Sequence, residues 1–424
     1  MRTGIATFTL DYGKCPKWLF DRMVLLGREM TNAIILEYGP KEFIKRLADP
    51  VWFQALGTVL AFDWNSSGLT TILTAALKEA IRGRERDFGI FICGGKGKTS
   101  RKTPEQIKDW GYKIGFDDKQ TNALVYNSRM SAKVDSALVQ DGFQIYHHSF
   151  FFTKDGAWTV IQQGMNETTA KARRYHWHSE NFKLILPEGR SFVCEPHQAI
   201  ISQAVVKNPL NLTAKESEKT RQISTEMVQN GVKTLLKDIE LLEKYASPYS
   251  QSLELKLRSG NANVGSPTTD IVKLVNLEDK EFKWHPVALE DFKNSRYLKK
   301  IISKIADQKP KDYEKLLSLE GVGPKTMRAL ALVAEIIYGA KPSYQDPARY
   351  SFAHGGKDAT PYPVDRQTYD QTISAMKYFV AKTKLNFSEK QKIIHQLEQE
   401  LHNKAQVLSQ KRKSIKDKIE KECV

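Results

Sequence analysis

Between Tyr146 and Asn166 the chain reads YHHSFFFTKDGAWTVIQQGMN, two apolar runs around an Asp155-Gly156 pair. Few stretches leave the backbone less choice, because an Asp-Gly step between apolar strands dictates a tight β-hairpin. A two-residue turn sets Lys154 opposite Ala157, so that Phe150 faces Ile161 and His148 faces Gln163. This register gathers His148, Gln163 and Asn166 at the open end of one surface. An imidazole placed there is the best neutral-pH nucleophile or base in this half of the chain. The same residues also suit a buried strand pair, with His147 and His148 as neutral, hydrogen-bonded core side chains beside Tyr146 and Phe150.

Other strand-like runs before residue 205, GIATFTL and DFGIFICGG, are interspersed with helical stretches such as LTTILTAALKEAIRGR, whose apolar positions recur at three and four. They predict an α/β domain with a mixed sheet over residues 1–205, the half that would supply chemistry. Residues 206–246 predict amphipathic bridging helices. Residues 247–285 open on SPYSQSLELKLRSGNANVGSPTTD and predict a linker or long loop. Residues 286–424 predict an all-helical domain with a basic helical tail, which makes the whole chain α+β. A length of 424 residues accommodates two or three such cores.

The helical half carries the most specific signal, LLSLEGVGPKTMRALALVAEIIYG. A helix, a Gly-Val-Gly turn and a second helix with Pro324 in its first turn resemble a helix-hairpin-helix element. Gly321, Val322 and Gly323 allow a close approach to a phosphate. The unpaired N–H groups and positive end of the second helix attract it, and Lys325 and Thr326 add polar contacts. Such a grip positions a strand without reading its bases. Charge points the same way: 65 Lys and Arg against 49 Asp and Glu give +16, which favours a polyanionic partner, DNA above all.

Two resemblances bear on chemistry. Helix-hairpin-helix DNA glycosylases carry a nucleophilic lysine where Lys325 stands, followed by an essential aspartate at a Val-Asp helix start. Val364-Asp365 has that context at twice the usual interval, while Asp346 in YQDPARY has the better spacing. The hairpin in turn resembles the signature of phospholipase D-like nucleases, in which a histidine attacks phosphorus and a lysine and an asparagine hold the phosphate. His148, Asp155 and Asn166 match that pattern and Phe150 stands at the lysine position. Lys154 or the loop GGKGKTSRK would then supply the cation. Since the family uses two hairpins and no histidine precedes residue 147, a homodimer would have to complete the site.

That loop is not a P-loop, because Ile92 stands where the first glycine belongs and Pro104 interrupts the residues after it. Lys96, Lys98, Arg101 and Lys102 instead suit direct phosphate contact. Asp63 with Asp135 or Asp141 would allow a divalent metal, although no spacing demands one, and the sequence names no other cofactor. Four scattered cysteines without a CxxC pair argue against structural zinc or disulfides, and the absence of an apolar run of about 18 residues predicts a cytoplasmic protein with no membrane contact.

FDWNSS, ICGGKGK, SAKVDSALVQDGFQIYHH, WTVIQQGMN, GVGPKT and DPARYSFAHGGKD together resemble a prokaryotic family defined only as a domain of unknown function, number seven-six-three, over residues 1 to 380. The resemblance implies no activity. The residues themselves predict a DNA repair or processing enzyme, a structure- or damage-directed nuclease using His148, Gln163, Asn166 and Lys154. The alternatives are a glycosylase or lyase using Lys325 with Asp365 or Asp346, and a non-enzymatic DNA-binding adaptor.

Overall fold

The computed structural model describes residues 15–60, 66–182, 191–203, 206–246 and 296–348, with isolated positions between 374 and 391. The expected linker at 247–285, Asp63, Asp365 and most of the basic tail lie outside the described residues.

Five strands form the central sheet in the order β1-β3-β4-β5-β6. They are β1 (Ile90–Lys96), β3 (Gln144–Thr153), β4 (Trp158–Asn166), β5 (Lys171–His178) and β6 (Ala199–Ser202). Every pairing is antiparallel, so the expected mixed sheet is corrected. Short connections explain this: β3, β4 and β5 succeed one another with no room for the long crossover that parallel neighbours need. β2 (Val139–Gln140) and β7 (Leu210–Asn211) pair separately.

Phe150, Phe151 and Phe152 are all buried. Neighbouring strand residues point to opposite faces, so three consecutive buried phenylalanines require both faces of the sheet to be covered. On one face Phe151, Ile90, Ile92 and Ile161 pack against α1 (Lys17–Ala48), α2 (Pro50–Val59) and α3 (Ser66–Ile81). α1 is two helices end to end, broken at Gly39-Pro40, and Asp49 caps α2 by accepting from the Val51 and Trp52 N–H groups.

The other face, with Phe150, Phe152, Val160, Tyr175 and Trp177, receives α5 (Thr103–Ile114) and α6 (Asp118–Ala137), which come after the single-turn α4 (Glu85–Phe88). Beyond α6 lie α7 (Glu218–Gln229), α8 (Val232–Ala246), α9 (Arg296–Gln308), α10 (Tyr313–Ser318) and α11 (Pro324–Ile336). α7 packs on α10 and α11, and α8 packs on α9 and α11. Apolar contact runs without a break from the sheet to Ile302, Leu316 and Leu330.

The β3–β4 turn corrects the expected register. Thr153 N–H donates to Ala157 O (3.0 Å) and Gly156 N–H to Thr153 O (3.0 Å), enclosing a three-residue loop, Lys154-Asp155-Gly156. Gly156 has φ +79°, the left-handed position that closes such a loop with a bulge. The pairing moves by one residue: Phe150 faces Val160, His148 faces Gln162, and Gln163 faces His147. Because strand residues alternate in direction, this sends His148 and Gln163 to opposite faces of the sheet.

Candidate functional site

At the open end of the hairpin, His148 is 4% exposed. Its Nε2 accepts from Ser128 Oγ on α6 (2.9 Å) and its Nδ1–H donates to Gln162 Oε1 (2.9 Å). Gln162 Nε2 donates to Asp135 Oδ2, which also accepts from Trp177 Nε1 (3.0 Å), while Asp135 Oδ1 meets His197 Nε2. Burial pushes the His148 imidazole down to about 4 against the opposing pull of Gln162. A neutral ring engaged at both nitrogens is thus sealed beneath α6. Attack on phosphorus by Nε2 would require its hydrogen bond from Ser128 to break and the ring to be uncovered.

The companions expected for His148 are elsewhere. Gln163 is buried on the opposite face, donating through Nε2 to Ser67 O (3.0 Å) and to the Tyr146 hydroxyl. Beside it His147 shares Nε2 with Thr74 Oγ1 (3.1 Å) and Ser149 Oγ (3.1 Å), and burial, with His148 and Lys96 nearby, lowers it to about 3. Asn166 belongs to the β4–β5 turn, where Oδ1 accepts from Thr169 N–H (3.0 Å). Lys154 sits at the closed end of the hairpin, donating to Arg86 O (3.1 Å). Six residue steps along the strand separate it from His148, roughly 20 Å. The expected grouping of His148, Gln163 and Lys154 therefore does not form.

Both aspartates considered for a metal are otherwise engaged. Asp141 accepts from Arg173 (2.8 Å), the Tyr175 hydroxyl (2.9 Å) and Phe143 N–H (3.0 Å), and Asp135 is held as above. Among the described residues no group of three His, Cys, Asp or Glu side chains is arranged to hold a metal ion. Asp346, the alternative partner of Lys325, grips both terminal nitrogens of Arg173 (2.9 and 2.8 Å) and accepts from the Val206 and Ala348 N–H groups. Its bonds tie the segment after α11 to the sheet and none reaches Lys325.

The second place is the turn between α10 and α11. Asp312 caps α10 through Lys315 N–H (2.7 Å). Gly321 has φ +84°, and a Cβ there would lie 2.4 Å from Ile301 Cδ1 of α9, so only glycine lets the turn pack this tightly. Val322 is 4% exposed and Thr326 2% exposed, so these two expected contact residues have their side chains in the core and can meet a ligand only through backbone. Pro324 and Lys325 are exposed and Gly321 and Gly323 partly so. Gly323 caps α11 from an extended conformation, and the Met327 N–H returns to its carbonyl (3.0 Å). The N–H groups of Lys325 and Thr326 precede that bond, in the turn whose donors have no intrahelical acceptor.

The surroundings of this turn are basic. Lys133 of α6 donates to Leu319 O (2.6 Å), Gln140 Nε2 to Pro324 O (2.9 Å) and Arg328 to Gln140 Oε1 (2.6 Å). Glu320 is exposed and paired with Lys304 (2.8 Å). The four cations of the other loop, Lys96, Lys98, Arg101 and Lys102, are all exposed, and the Lys96 ammonium lies 5.8 Å from the Tyr146 ring centroid.

Sequence reasoning missed Gln162, Ser128 and His197. Gln162 shows only as a polar side chain inside an apolar strand, Ser128 and His197 stand among polar neighbours, and none of the three reveals its partner. Taken together these features define a protein of mixed helices and antiparallel sheet, sealed around a polar centre and open at a basic helical turn. The chain belongs to the family described as "Protein of unknown function (DUF763)", whose model matches residues 4–364. No curated protein and no solved structure matches it.

Proposed function

We propose that the protein binds the sugar-phosphate backbone of DNA through the α10–α11 turn, read as a helix-hairpin-helix. The observation that carries this is the pairing of a buried anchor with an open tip. Gly321 seats the turn against Ile301 of α9 and Val322 is buried in the core, leaving Pro324 and Lys325 exposed and Gly323 partly so beside the first amides of α11. Partial positive charge at a helix start, an exposed lysine with no ion pair among the described residues and a close backbone approach suit a phosphate oxygen. The net charge of +16 supports the same class of partner. Catalysis is not required by this reading, since the imidazole expected to perform it is engaged and enclosed.

Gly323→Asp tests the reading without weakening the fold. An aspartate at that N-cap supports α11, yet places a carboxylate where the phosphate would lie. Binding of a labelled duplex, monitored by fluorescence anisotropy, should weaken about tenfold or more while the melting temperature holds or rises; Lys325→Glu should act in the same direction. Duplex affinity that both substitutions leave at the wild-type level would remove the turn from the interface.

A further inference from the structure

Alongside the turn, α6 and α10 enclose a groove of about 670 Å³ whose lining includes Tyr126, Arg129, Lys133 and Ser318. Arg129 and Lys133 stand one helical turn apart, about 6 Å along α6. Neither makes an ion pair among the described residues. Lys133 is more than half buried, its one hydrogen-bond acceptor among the described residues is the Leu319 carbonyl, and burial pulls its ammonium down to about 8. The carboxylate bonded to the Tyr126 wall makes no contact with Lys133 among the described hydrogen bonds and ion pairs. Glu314 already accepts from the Tyr126 hydroxyl (2.6 Å), Phe192 N–H (3.1 Å) and Ser191 Oγ (3.4 Å).

A partly desolvated cation without a counter-ion is costly unless an anion arrives from outside. Lys133 is fastened to Leu319, the residue that opens the α10–α11 turn, so an anion held here would be continuous with one held at Gly323 and Lys325. A guanidinium a turn away adds the planar fork that matches two phosphate oxygens. We infer that this groove is a second phosphate site for the same DNA, with Arg129 and Lys133 as its ligands. The inference rests on the reading of the α10–α11 turn and extends the grip along the strand. Lys315, set against the Tyr126 ring at 5.1 Å, lies at the same wall and reinforces its sign.

The test is the salt dependence of full-length protein binding to a labelled 20-base-pair duplex, since each phosphate contact contributes about 0.9 to the slope of log affinity against log salt. Arg129→Gln/Lys133→Gln should lower the affinity about tenfold and the slope by about 1.8, while Lys133→Arg should stay close to wild type. A double variant with unchanged affinity and slope, in a protein whose binding Gly323→Asp still abolishes, would overturn the groove and leave the turn standing. Wild-type protein that fails to bind duplex would remove both. Should the double variant not fold, Arg129→Gln alone decides the matter, with a slope loss of about 0.9 expected and none overturning the site.

Discussion

The two hairpins treat their polar groups in opposite ways. At the open end of β3–β4, His148, Gln162, Asp135, Ser128 and Trp177 satisfy one another inside the protein. At α10–α11 the polar groups are the first amides of a helix, which have no intrahelical acceptor, and an exposed lysine with no ion pair among the described residues. A buried network that is fully satisfied rigidifies a core, whereas unsatisfied donors at a surface are available to a ligand. The residue type that looked reactive in the sequence is therefore the one the fold uses for cohesion.

Removing Arg173 should expose that cohesion most strongly. Its guanidinium lies between Asp141 and Asp346, and both of its ion pairs are almost wholly buried. Arg173→Ala leaves two carboxylates without their cation and should cost about 3–5 kcal/mol in chemical denaturation. A loss under about 1 kcal/mol would show that the segment after α11 is not held to the sheet in this way.

Acid should act next, on the buried imidazoles. His147 and His148 have folded-state values of about 3 and about 4, below the ordinary 6.5, because burial disfavours their charged forms. The unfolded chain then binds more protons than the folded one below pH 6.5, so stability is lost as pH falls from there toward 4. His148 alone contributes on the order of 3 kcal/mol over that window. Urea denaturation midpoints at pH 7 and pH 4.5 measure it, and equal midpoints would mean that the imidazoles are accessible and protonate freely.

His148→Ala separates cohesion from chemistry. It leaves Ser128 and Gln162 without their shared partner and opens a cavity, a cost of about 2–3 kcal/mol. A variant of wild-type stability that nevertheless loses a DNA cleavage activity present in the parent would return His148 to a catalytic role.

Much of this architecture was legible in the sequence, and the failures share one cause. The strands at 90–96, 144–153 and 158–166, the glycine-bounded turn and the helix after it arise from local periodicity and turn chemistry. The register does not, because Asp155-Gly156 suits either a two-residue turn or the last two positions of a three-residue loop, and only the ladder decides. Asp135 could not be paired with Gln162, 27 residues away, or with His197, 62 away, since neither separation has a sequence signature. Val322 reads as a surface residue because its neighbours are glycines, yet an apolar side chain in a tight turn is pulled into the core, where this one is buried.

The smallest expected effect concerns the boundary between the sealed core and the open turn. Lys133 keeps a charge that burial disfavours, so its folded-state value of about 8 lies below the ordinary 10.5. Between these values the unfolded chain holds the extra proton and stability rises with pH, whereas below 8 the full cost is present. Lys133→Met retains the aliphatic stem and deletes the charge, giving up one hydrogen bond to Leu319. At pH 7 the melting temperature should rise by about 2 °C, and the advantage should shrink as pH climbs from 8 to 10.5. The gain is small because the amine is still partly in water and the lost hydrogen bond offsets some of it. A lower melting temperature at pH 7 would make Lys133 a tie between α6 and the turn, and the groove would then be built for packing and not for an anion.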